Sequence, residues 1–163
     1  MGNSLMFELM PAAVASAAAL LDLRWRRIPN WFTLSAFCLG LLVHAVRGEG
    51  SGVLVALAGA GLGLLILLPF YAMRAIGAGD VKLLAALGAL VGPQVLVSVA
   101  LYGAIVGGVI SLYALARRGR VGLAFAELVT RPMHLTRSGA TAPYALAIAS
   151  GVYLSALLPS VIG

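Results

Sequence analysis

The chain has 163 residues, of which 62% are hydrophobic and 10% charged, and its formal net charge is +6. Soluble domains carry about 45–50% apolar and about 25% charged residues, so this composition excludes an ordinary soluble protein and indicates an integral membrane protein. The length fits one domain over residues 1–163. The single cysteine, Cys38, excludes a disulfide within the chain and a multi-cysteine metal site.

Six apolar stretches follow one another, and we predict an all-α, polytopic protein with one transmembrane helix for each stretch. The stretches span about residues 4–21, 31–46, 53–71, 80–91, 95–116 and 142–158. The first is no signal peptide, because the basic cluster around Arg24 follows it and no Lys or Arg precedes it. Pro29 interrupts the helical structure before the second helix. Gly92-Pro93-Gln94 forms a tight turn between the fourth helix and the fifth.

The fourth stretch is short for a membrane span. Twelve helical residues rise about 18 Å, against about 30 Å of hydrocarbon. Three explanations stay open: flanking residues join the helix, the bilayer is thin there, or Asp80 lies within the membrane thickness. In the fifth helix, Gly103 and Gly107 have the spacing that lets two helices approach closely, and we predict a packing role for them.

The basic residues are distributed unequally between the two sides of this topology. Loops at about residues 22–30, 72–80 and 117–141, with Lys82 just past the second, hold ten of the eleven, and only Arg47 lies on the other side. Basic loops stay in the cytoplasm, so we expect these loops to be cytoplasmic and both termini to lie outside. Within the last loop, residues 121–129 form either a short surface helix or a plain loop.

Carboxylates are rare, and only two of them are aspartates. The five acidic residues are Glu8, Asp22, Glu49, Asp80 and Glu127. Asp22 ends the first predicted helix and Asp80 begins the fourth, so two antiparallel crossings return the chain to the same membrane level. Two facing carboxylates share one proton, which lets one accept a proton from water while the other polarises a peptide carbonyl. This is the chemistry of an aspartyl protease.

Plainer interpretations of both aspartates stay open on spacing alone. Asp80 follows Gly77-Ala78-Gly79 and fits a helix N-cap, and Asp22 fits an ion-pair partner for Arg24 or Arg26. The alternative function is a non-enzymatic membrane transporter or assembly subunit, in which the pair relays protons or holds helices together. A shared metal site is not expected, because His44 and His134 are predicted on opposite sides, and no HExxH or G-x-S-x-G motif is present.

Three segments resemble the motifs of the type IV prepilin peptidases. They are Asp22-Leu-Arg-Trp-Arg-Arg-Ile-Pro-Asn30, Gly77-Ala-Gly-Asp80-Val-Lys-Leu83 and Ala142-Pro-Tyr144. The resemblance covers nearly the whole chain and implies a multi-pass aspartyl peptidase of the bacterial inner membrane, which cuts the short basic leader from prepilins at its cytoplasmic end. It implies catalysis by Asp22 and Asp80. It implies supporting roles for Gly77, Gly79, Lys82, Pro29, Asn30, Pro143 and Tyr144.

The resemblance also indicates a branch of that family. Larger members carry a four-cysteine zinc-binding segment and N-methylate the pilin with S-adenosylmethionine, whereas this chain resembles the short, peptidase-only branch that serves tight-adherence (Flp-type) pili. We therefore expect no cofactor and no methyltransferase activity. The expected partners are Flp-type prepilins or pseudopilins and membrane lipid, with no nucleic acid. Archaeal preflagellin peptidases share the aspartate motifs and stay an alternative. In the presenilin group a tyrosine precedes the first aspartate, whereas here Leu21 precedes Asp22, which argues against close kinship.

Overall fold

The computed structural model describes residues 2–25, 28–47, 51–73, 76–117 and 144–157, and all regular structure in these ranges is helical. The helices are α1 (Gly2–Trp25), α2 (Asn30–Arg47), α3 (Gly52–Ala72), α4 (Ala78–Arg117) and α5 (Tyr144–Leu157). The predicted all-α class is confirmed for this part of the chain. The segment 121–129, with its two alternatives, lies outside the described residues.

Two of these helices, α3 and α4, are long and apolar enough to cross a membrane, and α2 and α5 are shorter apolar helices. Many large apolar side chains point outward from the bundle, among them Leu65 with 67% and Val109 with 63% of the surface exposed. Such a surface suits lipid rather than water. Six separate spans and the outward position of both termini stay predictions, since the described residues form five helices.

Helix α4 contains the break that the sequence predicted, but at one residue rather than over a three-residue turn. Gly92 has φ 79° and ψ 170°, a backbone region that is nearly restricted to glycine. A Cβ built on Gly88 would lie 2.8 Å from Cδ2 of Leu96. Eight residues of straight helix rise about 12 Å, too far for one leucine side chain. The chain therefore folds back at Gly92, which divides α4 into a first segment (residues 78–91) and a second segment (residues 93–117) that meet at Gly88 and Leu96.

Glycines let α2, α3 and the first segment of α4 approach at backbone distance. A Cβ on Gly59 would overlap the Gly88 carbonyl oxygen, and one on Gly63 would lie 2.7 Å from the Leu84 carbonyl oxygen. On α2, a Cβ on Gly40 would lie 2.6 Å from the Ala89 carbonyl carbon. We call these contacts the glycine seam. They fix the first segment of α4 against two neighbouring helices.

The second segment of α4 packs against α5. A Cβ on Gly103 would lie 3.1 Å from the Ala147 carbonyl oxygen, and one on Gly107 would lie 3.0 Å from Cβ of Ala147. The predicted packing role of these two glycines is confirmed. Helix α5 also contacts α1, where the hydroxyl groups of Ser16 and Tyr153 lie 2.7 Å apart.

The helix ends meet at two levels. At one level Gly52, the first residue of α3, lies against His44 near the end of α2, and Gly92 lies close to the same histidine. At the other level, Ile28 ahead of α2 lies beside Gly79 in the first turn of α4. We call this second level the aspartate end, because α1 ends there with Asp22 in its last turn and α4 begins there with Asp80.

Candidate active site

The two aspartates lie on different helices at the aspartate end. Helix α1 continues past the predicted boundary at residue 21 to Trp25, so Asp22 lies in its last turn, and α4 begins two residues before Asp80. Both side chains are partly buried. The charge of Asp22 acts on Asp80. The two carboxylates, which the predicted topology placed at one level, therefore lie near enough for one charge to act on the other.

The backbone of Gly77 holds Asp80. The Gly77 carbonyl accepts hydrogen bonds from the backbone N–H groups of Asp80 (3.2 Å) and Val81 (3.5 Å), and the Asp80 carboxylate accepts one from the Gly77 backbone. This reciprocal arrangement resembles a capping box, in which an acid at the third helical position bonds back to the cap residue. The N-cap interpretation is wrong in its position, since Asp80 lies inside the first turn, but its carboxylate does stabilise the start of the helix.

The motif glycines Gly77 and Gly79 have room for a methyl group beside them. A Cβ on Gly77 would lie 3.5 Å from Oδ2 of Asp80, and one on Gly79 would lie 3.6 Å from Cβ of Ile28. Both distances are ordinary van der Waals contacts. Packing in this structure therefore does not require glycine at either position.

Two of the supporting residues form a pair that the sequence reasoning missed. Lys82 Nζ donates a hydrogen bond to Oδ1 of Asn30 at 3.0 Å, which joins α4 to the start of α2. Pro29 starts α2, because its carbonyl accepts the backbone N–H groups of Phe32 (3.1 Å) and Thr33 (3.4 Å). The Ile-Pro-Asn sequence therefore places Asn30 where Lys82 reaches it. The available signal was that both residues were predicted at the same membrane level.

A second missed contact holds α1, the helix that carries Asp22. Ser16 Oγ donates to the Ala12 carbonyl at 2.7 Å, which uses its single proton. Tyr153 on α5 must then donate to Ser16 across their 2.7 Å contact. The position of Asp22 relative to the bundle therefore depends partly on α5.

The remaining predicted site residues lie at the edge of the described part. Pro143 lies outside the described residues. Tyr144 is the first residue of α5, and only its backbone is described. Their support of the site stays a prediction. Among the described residues, no three His, Cys, Asp or Glu side chains cluster as metal ligands would. His44 lies at the opposite end from the aspartates, with its Nδ1 3.1 Å from the Gly40 carbonyl oxygen.

The sequence profile of the type IV leader peptidase family matches residues 9–112. The matched range runs from α1 through most of α4 and contains Asp22, the Pro29-Asn30 pair, the motif glycines, Asp80 and Lys82. No curated protein and no solved structure matches the chain. The profile match covers well over half of the sequence and confirms the resemblance drawn from the motifs. The chain therefore belongs to the type IV leader peptidase family, a family of membrane-associated peptidases.

Proposed function

We propose that the protein is an aspartic endopeptidase of the bacterial inner membrane that removes the short basic leader of prepilins at the cytoplasmic face. The observation that carries the proposal is that Asp22 and Asp80, on two different helices, lie near enough for the charge of Asp22 to act on Asp80. Two carboxylates 58 residues apart in the sequence have no structural reason to lie close together in a partly apolar site, because each disfavours the charge of the other.

The proposed reaction is peptide hydrolysis with one proton shared by the pair. The ionised aspartate accepts a proton from water while the protonated aspartate donates to the carbonyl oxygen, so that hydroxide adds to the carbonyl carbon. The resulting diol then collapses, the C–N bond breaks, and the aspartate that took the water proton delivers it to the leaving amine. The second aspartate regains its proton from the diol. The chain thus supplies both acid and base.

The membrane topology supports a cytoplasmic site. The reversal at Gly92 divides α4 into two segments that run in opposite directions, which supports six crossings with both termini outside. The aspartate end then lies on the side that carries ten of the eleven basic residues. A prepilin presents a basic leader followed by an apolar helix. That helix lies in the bilayer beside the enzyme and places the leader junction at the level of the aspartates.

The resemblance to the branch that serves tight-adherence pili supports Flp-type prepilins or pseudopilins as the substrates. The basic side of the enzyme repels a basic leader and attracts anionic lipid headgroups instead. Docking of the substrate therefore depends on its apolar helix. The rival function, a transporter or assembly subunit, uses the same aspartates for proton relay or for helix packing and cleaves nothing.

Co-expression with a Flp-type prepilin tests the proposal by the mobility shift that leader removal produces. We expect processing by the wild type and by Glu49→Gln, which removes a different acid, and none by Asp22→Asn or Asp80→Asn. Membrane fractions must hold all four proteins at similar levels. Processing by either aspartate variant would contradict the paired-acid mechanism, and absence of processing by the wild type across a panel of prepilins would favour the rival function.

A further inference from the structure

A cleft of about 380 Å³ opens between α2, α3 and the first segment of α4. This volume lies within the range of about 300–1,000 Å³ that ligand sites in proteins occupy. Its walls are mostly apolar and include Leu34, Phe37 and Leu64. Lys82 and Asn30 line it at the aspartate end, where α2 and α4 begin. The cleft therefore has a polar head and an apolar body.

The cleft lies on the side of α4 that faces away from Asp80. Successive helical residues are rotated by about 100°, so Lys82 lies about 200° around the helix from Asp80. Ala85 and Ala86, which also line the cleft, lie at about 140° and about 240° from Asp80 on the same scale. A molecule in the cleft is thus separated from the aspartates by the helix itself. The apolar body of the cleft therefore lies apart from the aspartates, while its head contains Lys82 and Asn30, which the resemblance assigns to support of the active site.

The head of the cleft carries the positive charge of Lys82, whose ammonium group has more N–H donors than its bond to Asn30 uses. Lys82 is exposed, and within the described part of the chain its partner is Asn30. An ammonium group has three N–H donors, so further donors are available to an anion. None of the residues that line the cleft is acidic.

The body of the cleft opens toward lipid. Leu34 is 62% exposed and Leu64 is 42% exposed. Both lie on helices whose outer surface is apolar. Lys82 lies near the helix ends, on the side where the predicted topology places the basic residues and the lipid headgroups. A cation at headgroup level above an apolar channel matches a phosphate that is joined to an acyl chain.

We propose that this cleft binds one phospholipid with an anionic headgroup, its phosphate on Lys82 and one acyl chain between α2 and α3. The bound lipid fills the space beside the glycine seam and braces the helices that present Asp80. The proposal depends on the membrane location of the chain, and its test measures lipid retention, which does not require the peptidase reaction.

Native mass spectrometry of the full chain in mild detergent tests the proposal with phosphatidylglycerol and phosphatidylcholine as probes. We expect one phosphatidylglycerol to be retained in preference to phosphatidylcholine. Lys82→Gln should lower this retention roughly tenfold, because a charge-assisted hydrogen bond is lost, while Lys82→Arg should keep it. Arg117→Gln is the matched control, since it removes an exposed charge at the end of α4, outside the cleft.

A second variant tests the apolar body. Leu64→Trp narrows the cleft without changing charge and should lower retention of phosphatidylglycerol, with the helical circular dichroism unchanged. Equal losses in Lys82→Gln and Arg117→Gln would overturn the proposal in favour of general attraction to a basic surface. Equal retention of both lipids would also overturn it. So would competition by soluble glycerol phosphate that is as effective as competition by the lipid, because the acyl chain would then contribute nothing. Displacement of the lipid by a prepilin would overturn it by assigning the cleft to the substrate helix.

Discussion

The glycines of the seam and the glycines beside Asp80 have opposite surroundings. In the seam, a Cβ on Gly59 or Gly88 would overlap the backbone of the facing helix. At the aspartate end, a Cβ on Gly77 or Gly79 would make only ordinary contacts. Folding therefore explains glycine in the seam and leaves it unexplained in the motif. The motif glycines are where a requirement of the reaction, such as close approach of the substrate backbone, is expected.

The difference also separates rigid from open parts of the molecule. The seam fixes the first segment of α4 against α2 and α3, and that segment carries Asp80. The aspartate end itself has room for a methyl group beside Gly77 and Gly79.

The largest effect is expected in the seam. Gly59→Ala forces a methyl group into the Gly88 backbone, and overpacking of this kind costs typically about 1–3 kcal/mol, or more where backbone cannot move. We expect little folded protein in the membrane. Gly61→Ala on the same helix is the control, because nothing lies within 4 Å of its Cβ position. It should be neutral or stabilising, since alanine favours a helix more than glycine. Equal expression of the two variants would contradict the close packing of α3 against α4 in the glycine seam.

Gly77→Ala should separate reaction from folding. Its methyl group would lie 3.5 Å from Oδ2 of Asp80, where it displaces water and crowds the substrate backbone. We expect cleavage to fall roughly tenfold or more while the thermal midpoint changes little. Cleavage by Gly77→Ala at the wild-type rate would show that the reaction does not require glycine at this position. A loss of folded protein would show that packing, and not the reaction, requires it.

The smallest effect is expected where α4 meets α5. A Cβ on Gly107 would lie 3.0 Å from a side-chain methyl, whereas nothing lies near that of Gly108. A methyl group can shift more easily than backbone, so Gly107→Ala should cost at most about 1 kcal/mol in the free energy of unfolding. Gly108→Ala is the matched control. Unfolding titrations in detergent should order the variants as Gly59→Ala, Gly107→Ala and Gly108→Ala, from least to most stable.

The sequence was sufficient to predict which residues lie at the same depth. Counting two antiparallel crossings placed Asp22 and Asp80 at one level, and the action of the Asp22 charge on Asp80 agrees. The Gly92-Pro93 dipeptide predicted the break in α4, because glycine adopts positive φ and proline lacks an N–H group. Helix ends were less predictable: apolar residues mark where the membrane stops, while α1 continues beyond it through Arg24 to Trp25.

The sequence was insufficient to predict how each helix is rotated about its axis. Amphipathic helices reveal their buried face by periodicity, but α3 and α4 are apolar on all sides and show none. Gly59 and Gly61 therefore look alike in the sequence, although only the first faces another helix. The Lys82–Asn30 hydrogen bond was missed for the same reason, since two residues at one depth meet only when their helices are turned toward each other.

The most direct test of the central claim is whether the two aspartates act as one unit. Initial rates of prepilin cleavage should be measured in proteoliposomes for the wild type, Asp22→Asn, Asp80→Asn and the double variant. We predict that each single change lowers the rate roughly a thousandfold or more and that the double variant is no slower than either, because groups that act together are not additive. Losses that multiply in the double variant, or a single variant that retains most of the rate, would contradict the paired mechanism.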